Sequence, residues 1–340
     1  MKKGIRICFA LGCVMIATIL FSGQMVAAKS VNIKVSAFGS PTSPNVLAGK
    51  FMAEYVREKS KGNIVMEIYP GATLSSGKQK GSIEQVQIGS IECVLSDVAL
   101  FTPWEKKLSV LSLPFMFKDH AAMHAFSKTD TCKNTAAMLE KKGLKVAGVW
   151  SRLPRQFVNT KHPIKDLQDF KGLKIRVPGS KVYSSIWKNL GANPTPMAWG
   201  EVYTSLQLGT IDGVEQPLHI LISSGIYEIT KYVTVSNYLT GFVFVAYNKK
   251  FFETLSPAHQ TILMDGAAAA NEFKHSNDKK MQADALVKLK EKGTQLHYPT
   301  DAEIEQYKKA TTPTWDEYRD VIGQDLLDKV MADIAAIEKK

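Results

Sequence analysis

The sequence predicts an α/β fold of two lobes joined by one long helix, and three observations lead to this prediction. Strand-like and helix-like segments alternate from Val31 to Asp97, and a second alternating series runs from Lys145 to Val214. From Pro257 to about Lys292 the chain is helical in character with few breaks. A helix of some 35 residues spans roughly 50 Å, which is longer than one small domain requires. We therefore expect it to lean across both lobes and to act as a hinge element.

The first alternating series predicts a parallel sheet covered by helices. Residues 31–35 alternate between apolar and polar as in a strand, and residues 64–69 form a second strand. A helix from about 78 to 88 ends at Gly89, a common left-handed stop, and a short strand follows at 91–95. Parallel strands of this kind gather their loops at their carboxyl ends, where such sheets bind ligands.

The second alternating series repeats the pattern and leads into the long helix. Ser256-Pro257 provides a cap and a first-turn proline for that helix. Thr300-Asp301-Ala302-Glu303 has the spacing of a capping box that begins a last helix. The elements predicted here are strands at 145–150, 156–160, 174–177, 211–214 and 241–248, and helices at 180–190 and 201–208.

The N-terminus has the three parts of a secretory signal peptide. Lys2, Lys3 and Arg6 form a charged start, residues 7–21 are apolar, and Val26-Ala27-Ala28 is a small-residue cleavage site. The apolar run of about 15 residues is shorter than the ~20 that a membrane-spanning helix needs. We predict that residues 1–28 are removed and that the mature protein works outside the cytoplasm; an uncleaved anchor is the alternative.

The charge pattern argues against a nucleic-acid-binding protein, and the cysteine count argues against a disulfide framework. The net charge of +11 falls to +8 without the three basic residues of the leader, and the remaining Lys and Arg are interspersed with acidic residues. No block of like charges or aromatic–basic alternation indicates a nucleic-acid groove. Of the two cysteines that remain, Cys93 lies in an apolar run and is predicted to be a buried free thiol, with a single bridge to Cys132 as the alternative.

The sequence contains no group of residues that indicates catalysis, a cofactor or a metal. His120 and His124 are four residues apart, but the glutamate of a zinc-protease motif is missing and a solvated helix face is the favoured interpretation. Gly179-Ser180 lacks the frame of a nucleophile elbow. We therefore predict a protein that is not an enzyme.

Arg176 is the residue that core packing explains least. It ends an apolar strand and is followed by Pro178-Gly179-Ser180 and a helix. A guanidinium offers paired N–H donors that match the two oxygens of a carboxylate, which a lysine cannot reproduce. The sequence therefore predicts that Arg176 points into a cleft and holds an organic anion.

Short motifs follow one another in order along the chain. They are Tyr69–Leu74, Gly89–Glu92, Arg155–Asn159, Pro163–Leu167, Phe170–Pro178, Leu190–Tyr203 and Leu206–Pro217. These motifs closely resemble the extracytoplasmic solute receptors of tripartite ATP-independent periplasmic (TRAP) transporters, in the dicarboxylate- and sialic-acid-binding family. The similarity covers essentially the whole mature chain, and it implies a two-lobed periplasmic-binding-protein fold with a hinge.

The resemblance implies a role for four residues of the second lobe. Arg176 matches an arginine that forms a two-pronged salt bridge with the substrate carboxylate. Arg155 matches a second arginine of the sialic-acid binders, with neighbouring Arg152 as the alternative. Gln216 stands where many relatives have an asparagine that bonds the same carboxylate, and Trp199 matches an aromatic that packs on the ligand.

Four other positions refine the expected ligand. Asp97 stands where sialic-acid binders have a glutamate, and Leu100 replaces the arginine that accompanies it, which argues for a ligand smaller than a sialic acid. Phe38 replaces a polar contact and favours the same conclusion. Tyr238 is predicted to give a hydroxyl to the ligand, with a purely structural role as the alternative.

Together these observations predict a monomeric periplasmic solute-binding protein that closes on a small organic acid. The resemblance implies that it delivers this acid to the small and large permease subunits of a TRAP transporter. A binding protein for an ABC importer or a sensor kinase is the alternative, and a periplasmic enzyme is less favoured. The predicted lobes are 29–152 plus 242–281 for lobe I and 153–241 plus 282–340 for lobe II.

Overall fold

The computed structural model describes residues 30–339, so the predicted signal peptide lies outside the described residues. The strands are β1 (Val31–Ala37), β2 (Ile64–Tyr69), β3 (Cys93–Asp97), β4 (Leu144–Ser151), β5 (Arg155–Asn159), β6 (Lys174–Val177), β7 (Asn193–Pro196), β8 (Gly213–Gln216), β9 (Tyr232–Leu239), β10 (Phe242–Asn248) and β11 (Gln295–His297).

The α-helices alternate with these strands, as the sequence predicts. No helix in the described range 30–339 is both long enough and apolar enough to cross a membrane. The helices are α1 (Pro44–Lys59), α2 (Gln79–Ile88), α3 (His120–Phe126), α4 (Asp130–Ala137), α5 (Lys181–Asn189), α6 (Val202–Gln207), α7 (Leu218–Ser223), α8 (Lys249–Thr254), α9 (Pro257–Glu291), α10 (Asp301–Ile322) and α11 (Gln324–Glu338).

The strands form two mixed sheets. The first has the order β2-β1-β3-β10-β4, in which β1 is parallel to β2 and β3 while β10 is antiparallel to β3 and β4. The second has the order β11-β9-β5-β8-β6-β7, in which β6 is parallel to β7 and β8 while β5 is antiparallel to β8 and β9. Two sheets with helices packed on them confirm the predicted α/β class, and one continuous apolar cluster contains residues of both sheets.

The chain passes between the two sheets at short connections. It leaves the first sheet after β4 and enters the second with β5, and it returns from β9 to β10. Only residues 152–154 and 240–241 make these two crossings. Both segments lie at boundaries between the predicted lobes, and short connections of this kind are where hinge motion takes place.

Helix α9 is the long helix that the sequence predicts, and it runs for 35 residues. Leu263 and Ala267 in its first half pack in the core of the first sheet, whereas Ala285 and Leu289 near its end pack in the core of the second. Its close fit on β4 depends on Gly148, because a Cβ there would lie 2.6 Å from the Cβ of Ala267. The helix therefore joins the two lobes.

The last two helices, α10 and α11, pack against residues assigned to lobe I, although they are predicted to belong to lobe II. Helix α10 packs both on α5 of the second lobe and on residues 106–112 of lobe I, and α11 packs on α3 and α4, which are also assigned to lobe I. The final helix thus lies on the first lobe, although residues 282–340 are predicted to belong to lobe II. The assignment of the other segments stays a prediction.

Cys93 and Cys132 are both free and buried. Burial raises the pKa of both thiols, to about 12 for Cys132. The predicted free thiol at Cys93 is therefore confirmed, and the alternative of a bridge is wrong.

The prediction of a solvated helix face for His120 and His124 is wrong. Both side chains are buried beneath α9, where Nε2 of His120 and Nδ1 of His124 lie 3.3 and 3.2 Å from Oγ of Ser151. The ring of His275 stacks on that of His124 at 3.8 Å between centroids. Sequence spacing placed the pair on one helix face but could not show that α9 covers that face.

Burial of the histidines makes the stability of the fold depend on pH. Burial and the nearby Lys274 charge lower the pKa of His120 to about 2, and the same two causes place the pKa of His219 well below its usual range. Below about pH 6.5 the unfolded chain therefore binds more protons, so stability falls as the pH falls. Between pH 7.5 and 5 we expect each histidine to remove about 2 kcal/mol from the free energy of unfolding.

Urea denaturation of wild type and His120→Asn at both pH values tests this expectation. The loss of stability on acidification should be smaller by about 2 kcal/mol in the variant. An equal loss in the two proteins would show that His120 is protonated without cost in the folded state.

Candidate functional site

The candidate site lies where the carboxyl ends of parallel strands from the two sheets face each other. In the second sheet, β6 brings Arg176 and β8 brings Gln216 to this edge. In the first sheet, β3 ends at Asp97 and β1 is followed by Phe38. This is the position at which open parallel sheets bind ligands, and it places side chains from both lobes around one cavity.

The cavity wall is polar on both sides, with a few apolar side chains between. Its cations are arginines from the second lobe and from the crossing segment, and its neutral polar groups come from both lobes. The lining residues are Phe38, Gly39, Ser40, Ser43, Asn45, Gln79, Asp97, Arg152, Arg155, Arg176, Pro178, Trp199, Gln216, Ile220, Ser223 and Ser224.

Arg176 is buried in this wall without a carboxylate partner among residues 30–339. It is 2% exposed, and its Nε and Nη2 donate to the carbonyl oxygen of Met197 at 3.0 and 2.8 Å. The ring of Trp199 lies 5.3 Å from its Cζ. Burial lowers the pKa of Arg176 to about 10, which still leaves it charged at neutral pH. Of five N–H donors, the described residues use two, so the others can bind an anion.

Arg155, in contrast, is already paired. Its Nε and Nη2 donate to the two carboxylate oxygens of Glu215, and Nη2 also donates to the Glu215 carbonyl oxygen at 3.0 Å. Glu215 is fully buried, and its Oε2 accepts a further hydrogen bond from the hydroxyl of Tyr238 at 2.8 Å. Arg155 lines the cavity, but Glu215 already neutralises its charge.

Arg152 has its own carboxylate partner, Asp97. Its Nη1 donates to Oδ2 of Asp97, and its Nη2 donates to Oε1 of Gln216 at 3.3 Å. Phe38 lies beneath the guanidinium, with its ring centre 5.4 Å from Cζ. The bond to Arg152 occupies the oxygen of the Gln216 amide and leaves its NH₂ group available as a donor to an anion.

Asp97 also connects the lobes directly. Its Oδ2 lies 3.7 Å from Nη1 of Arg155, and its Oδ1 lies 3.5 Å from the hydroxyl of Tyr183 on α5. Oδ1 accepts a hydrogen bond from the backbone N–H of Ala99 at 3.0 Å, which fixes the carboxylate on the first lobe. Asp97 therefore holds a first-lobe carboxylate against donors of the second lobe.

The structure brings together six of the seven predicted site residues and separates one. Tyr238 does not line the cavity: it is fully buried, and its hydroxyl accepts from Nε1 of Trp187 at 3.1 Å while donating to Glu215. The expected hydroxyl contact with a ligand is corrected to a structural one. The six that line the cavity are Phe38, Asp97, Arg155, Arg176, Trp199 and Gln216.

Sequence reasoning missed several residues of the site, and three of them bear on its chemistry. Glu215 is an acid within a buried strand, and a buried charge requires a partner, so its position could have indicated the pair with Arg155. Ser43 and Asn45 begin α1 and line the cavity, but Ser43-Pro44 is typical of an ordinary helix cap. In the structure the Ser43 hydroxyl makes no capping hydrogen bond.

Comparison with known proteins places this geometry among solute receptors. A family model described as bacterial extracellular solute-binding protein, family 7, matches residues 35–320. The C4-dicarboxylate-binding periplasmic protein of Rhodobacter capsulatus is 30% identical over 308 residues, which cover 90% of this chain and 91% of that protein.

Two solved structures are similar in fold over almost their whole length. A TRAP periplasmic solute-binding protein from Ralstonia eutropha H16, with bound (S)-2-acetolactate, has a TM-score of 0.85 and 29% identity, covering 90% of this chain and 99% of its own. The sugar acid binding protein of Advenella mimigardefordensis strain DPN7T, in complex with galactonate, has a TM-score of 0.86 and 26% identity, covering 91% and 99%.

Proposed function

We propose that this chain, which belongs to the bacterial extracellular solute-binding proteins of family 7, is a TRAP receptor that captures a small organic acid in the cavity between its lobes. Binding rather than catalysis is the function, because the relatives it resembles are named for the acids they bind. The acid would be held by its carboxylate and released to a membrane permease.

The unpaired guanidinium of Arg176 is the observation that carries this proposal. An uncompensated charge that is 2% exposed is costly for a folded protein unless an anion accompanies it. The Met197 carbonyl and the Trp199 ring fix its orientation, and its remaining donors match a carboxylate. The NH₂ group of Gln216 supplies a further donor, whereas Arg155 supports the wall through its pair with Glu215.

Closure of the two lobes would complete the site. The short crossings at 152–154 and 240–241 permit a hinge motion, and Asp97 joins the lobes through Arg155 and Tyr183. Closure removes water from around the bound carboxylate, and each charge-assisted hydrogen bond becomes stronger in the drier surroundings. Capture and closure would therefore reinforce each other.

The proposal places the protein in the periplasm as a monomer that works with the small and large subunits of a TRAP permease. The periplasmic names of its relatives and the signal peptide predicted at residues 1–28 support this location. Purified receptor and both subunits in lipid vesicles test the partnership. Uptake of a bound acid should require all three, and uptake with an ABC importer instead would contradict it.

A thermal-shift screen of organic acids tests the binding function. A ligand at 100 times its Kd stabilises a protein by about 2.7 kcal/mol, so a true ligand should raise the Tm by several degrees. The uncharged parent sugars and alcohols serve as matched controls and should leave the Tm unchanged. Failure of every organic anion to raise the Tm would contradict the proposed function.

A further inference from the structure

The charges around the cavity leave a single positive charge for the ligand. Three arginines line the wall, but Asp97 pairs with Arg152 and Glu215 pairs with Arg155. Only Arg176 has no carboxylate partner in the described part of the chain. Three cations and two anions amount to a net charge of one, all of it on Arg176.

Charged groups behind the wall do not change this balance. Lys274 is buried next to Arg152 but forms its own ion pair with Asp278, which is also buried. His219 is buried nearby, and its pKa lies well below the usual range because of burial and the Lys274 charge, so it is neutral at pH 7. A second anionic group on a ligand would therefore find no free cation among these residues.

The first-lobe part of the cavity wall also carries neutral hydrogen-bonding groups. Ser43 is 1% exposed, and its hydroxyl has no hydrogen-bond partner among the described protein atoms. Asn45 is 2% exposed and lines the same wall with an amide that can both donate and accept. Such groups suit the hydroxyls of a ligand, because buried polar atoms require partners, whereas they cannot neutralise a carboxylate.

We infer that the ligand is a hydroxylated monocarboxylate, with its carboxylate on Arg176 and its hydroxyls on Ser43 and Asn45, and that the Asp97–Arg152 pair excludes dicarboxylates. This inference rests on the proposed function and deepens it. Asp97 acts as an internal anion that occupies the cation which a second ligand carboxylate would need. Asp97 is therefore a specificity-determining residue.

Overall similarity to known proteins does not distinguish a monocarboxylate receptor from a dicarboxylate receptor, whereas the charge balance of the cavity does. The relative named for C4-dicarboxylates is 30% identical and the structure with bound acetolactate, which has one carboxylate, is 29% identical. This chain is thus about equally identical in sequence to two proteins whose ligands differ in charge.

Calorimetry with chain-matched acids tests the inference. Galactonate and erythronate each have one carboxylate, and galactarate and meso-tartrate are the same chains with a second one. At pH 7.5 we expect wild type to bind at least one monocarboxylate at least tenfold more tightly than its dicarboxylate partner. Equal or tighter binding of the dicarboxylate would overturn the inference.

Two variants show whether Asp97 sets the preference. Asp97→Asn raises the cavity charge to two and should reduce the ratio of monocarboxylate to dicarboxylate affinity at least tenfold. Asp97→Asn combined with Arg152→Gln restores a charge of one and should restore the wild-type ratio. Because the double variant leaves no arginine other than Arg176 without a carboxylate partner, it can be measured even if the single variant is unstable. An unchanged ratio in Asp97→Asn, or a lowered ratio in the double variant, would contradict the assigned role.

The outcomes separate this inference from the function on which it rests. If wild type binds an organic anion that is not a hydroxylated monocarboxylate and binds none of the four acids, the inferred ligand class is wrong and the proposed function stands. If no organic anion binds at all, both are wrong.

Discussion

Replacing Arg176 with alanine should greatly weaken ligand binding while leaving the fold intact. Removing one partner of a buried, hydrogen-bonded charge pair costs about 2–5 kcal/mol, which weakens binding by about 30-fold or more. Arg176→Lys should recover little of this, because lysine keeps the charge but lacks the planar pair of donors. Isothermal titration calorimetry with an acid from the thermal-shift screen measures the effect.

The unliganded variant provides a second readout of the same prediction. Arg176 has no carboxylate partner among residues 30–339, so its removal takes an uncompensated charge out of the protein interior. The free energy of unfolding without ligand should therefore be unchanged or higher in Arg176→Ala. Arg57→Ala, which alters an arginine exposed on α1, is the matched control and should leave affinity unchanged. Wild-type affinity in Arg176→Ala would show that the anion binds elsewhere.

Replacing Glu215 with glutamine should destabilise the protein more than any surface change. The substitution keeps the shape of the side chain but leaves Arg155 buried with only a 3.7 Å contact to Asp97, which Arg152 already neutralises. It also weakens the hydrogen bond from Tyr238. Breaking a buried pair by removing one partner costs about 3–5 kcal/mol. Urea denaturation of the unliganded protein measures this loss.

A double variant and a surface control show that the loss comes from the unpaired charge. Adding Arg155→Met to Glu215→Gln removes that charge and should recover much of the lost stability. Glu54→Gln breaks an exposed pair with Arg57 and should cost no more than about 1 kcal/mol. A loss below about 1 kcal/mol in Glu215→Gln would contradict the pairing.

Local rules predicted those parts of the fold that depend on neighbouring residues alone. Residues 64–69 form β2 with the predicted bounds, and Gly89 ends α2 with a φ of 82°. Ser256 accepts a hydrogen bond from the backbone N–H of His259, and Thr300 and Glu303 form the predicted capping box. Caps, stops and periodicity are encoded within a few residues, so a single sequence is sufficient to find them.

Two strands begin two residues later than predicted, for one common reason. Ile91 and Ile211 are apolar and buried, which makes each resemble the start of a strand. In the structure their backbone N–H groups point back to the preceding helix, to the carbonyl oxygens of Gln85 and Ser205, both at 3.4 Å. Each isoleucine therefore covers the end of a helix, and an apolar residue in that position looks the same in sequence as a strand residue.

The site could be predicted where a residue ends a strand, but not where its role depends on a partner far along the chain. Arg176 follows from a strand end and from the family resemblance, Gln216 follows from the resemblance alone, and both line the cavity. Tyr238 was assigned to the ligand because nothing nearby in sequence indicates its bond to Glu215. Long-range pairs of this kind decide which arginine remains free, and they become visible only in the folded structure.

A crystal structure of the protein with a bound organic acid tests the central claim most directly. The account predicts an acid between the two sheets, with both carboxylate oxygens within hydrogen-bond distance of the Arg176 guanidinium and one of them near the Gln216 amide. An acid whose carboxylate lies away from Arg176, or outside the cavity, would contradict it.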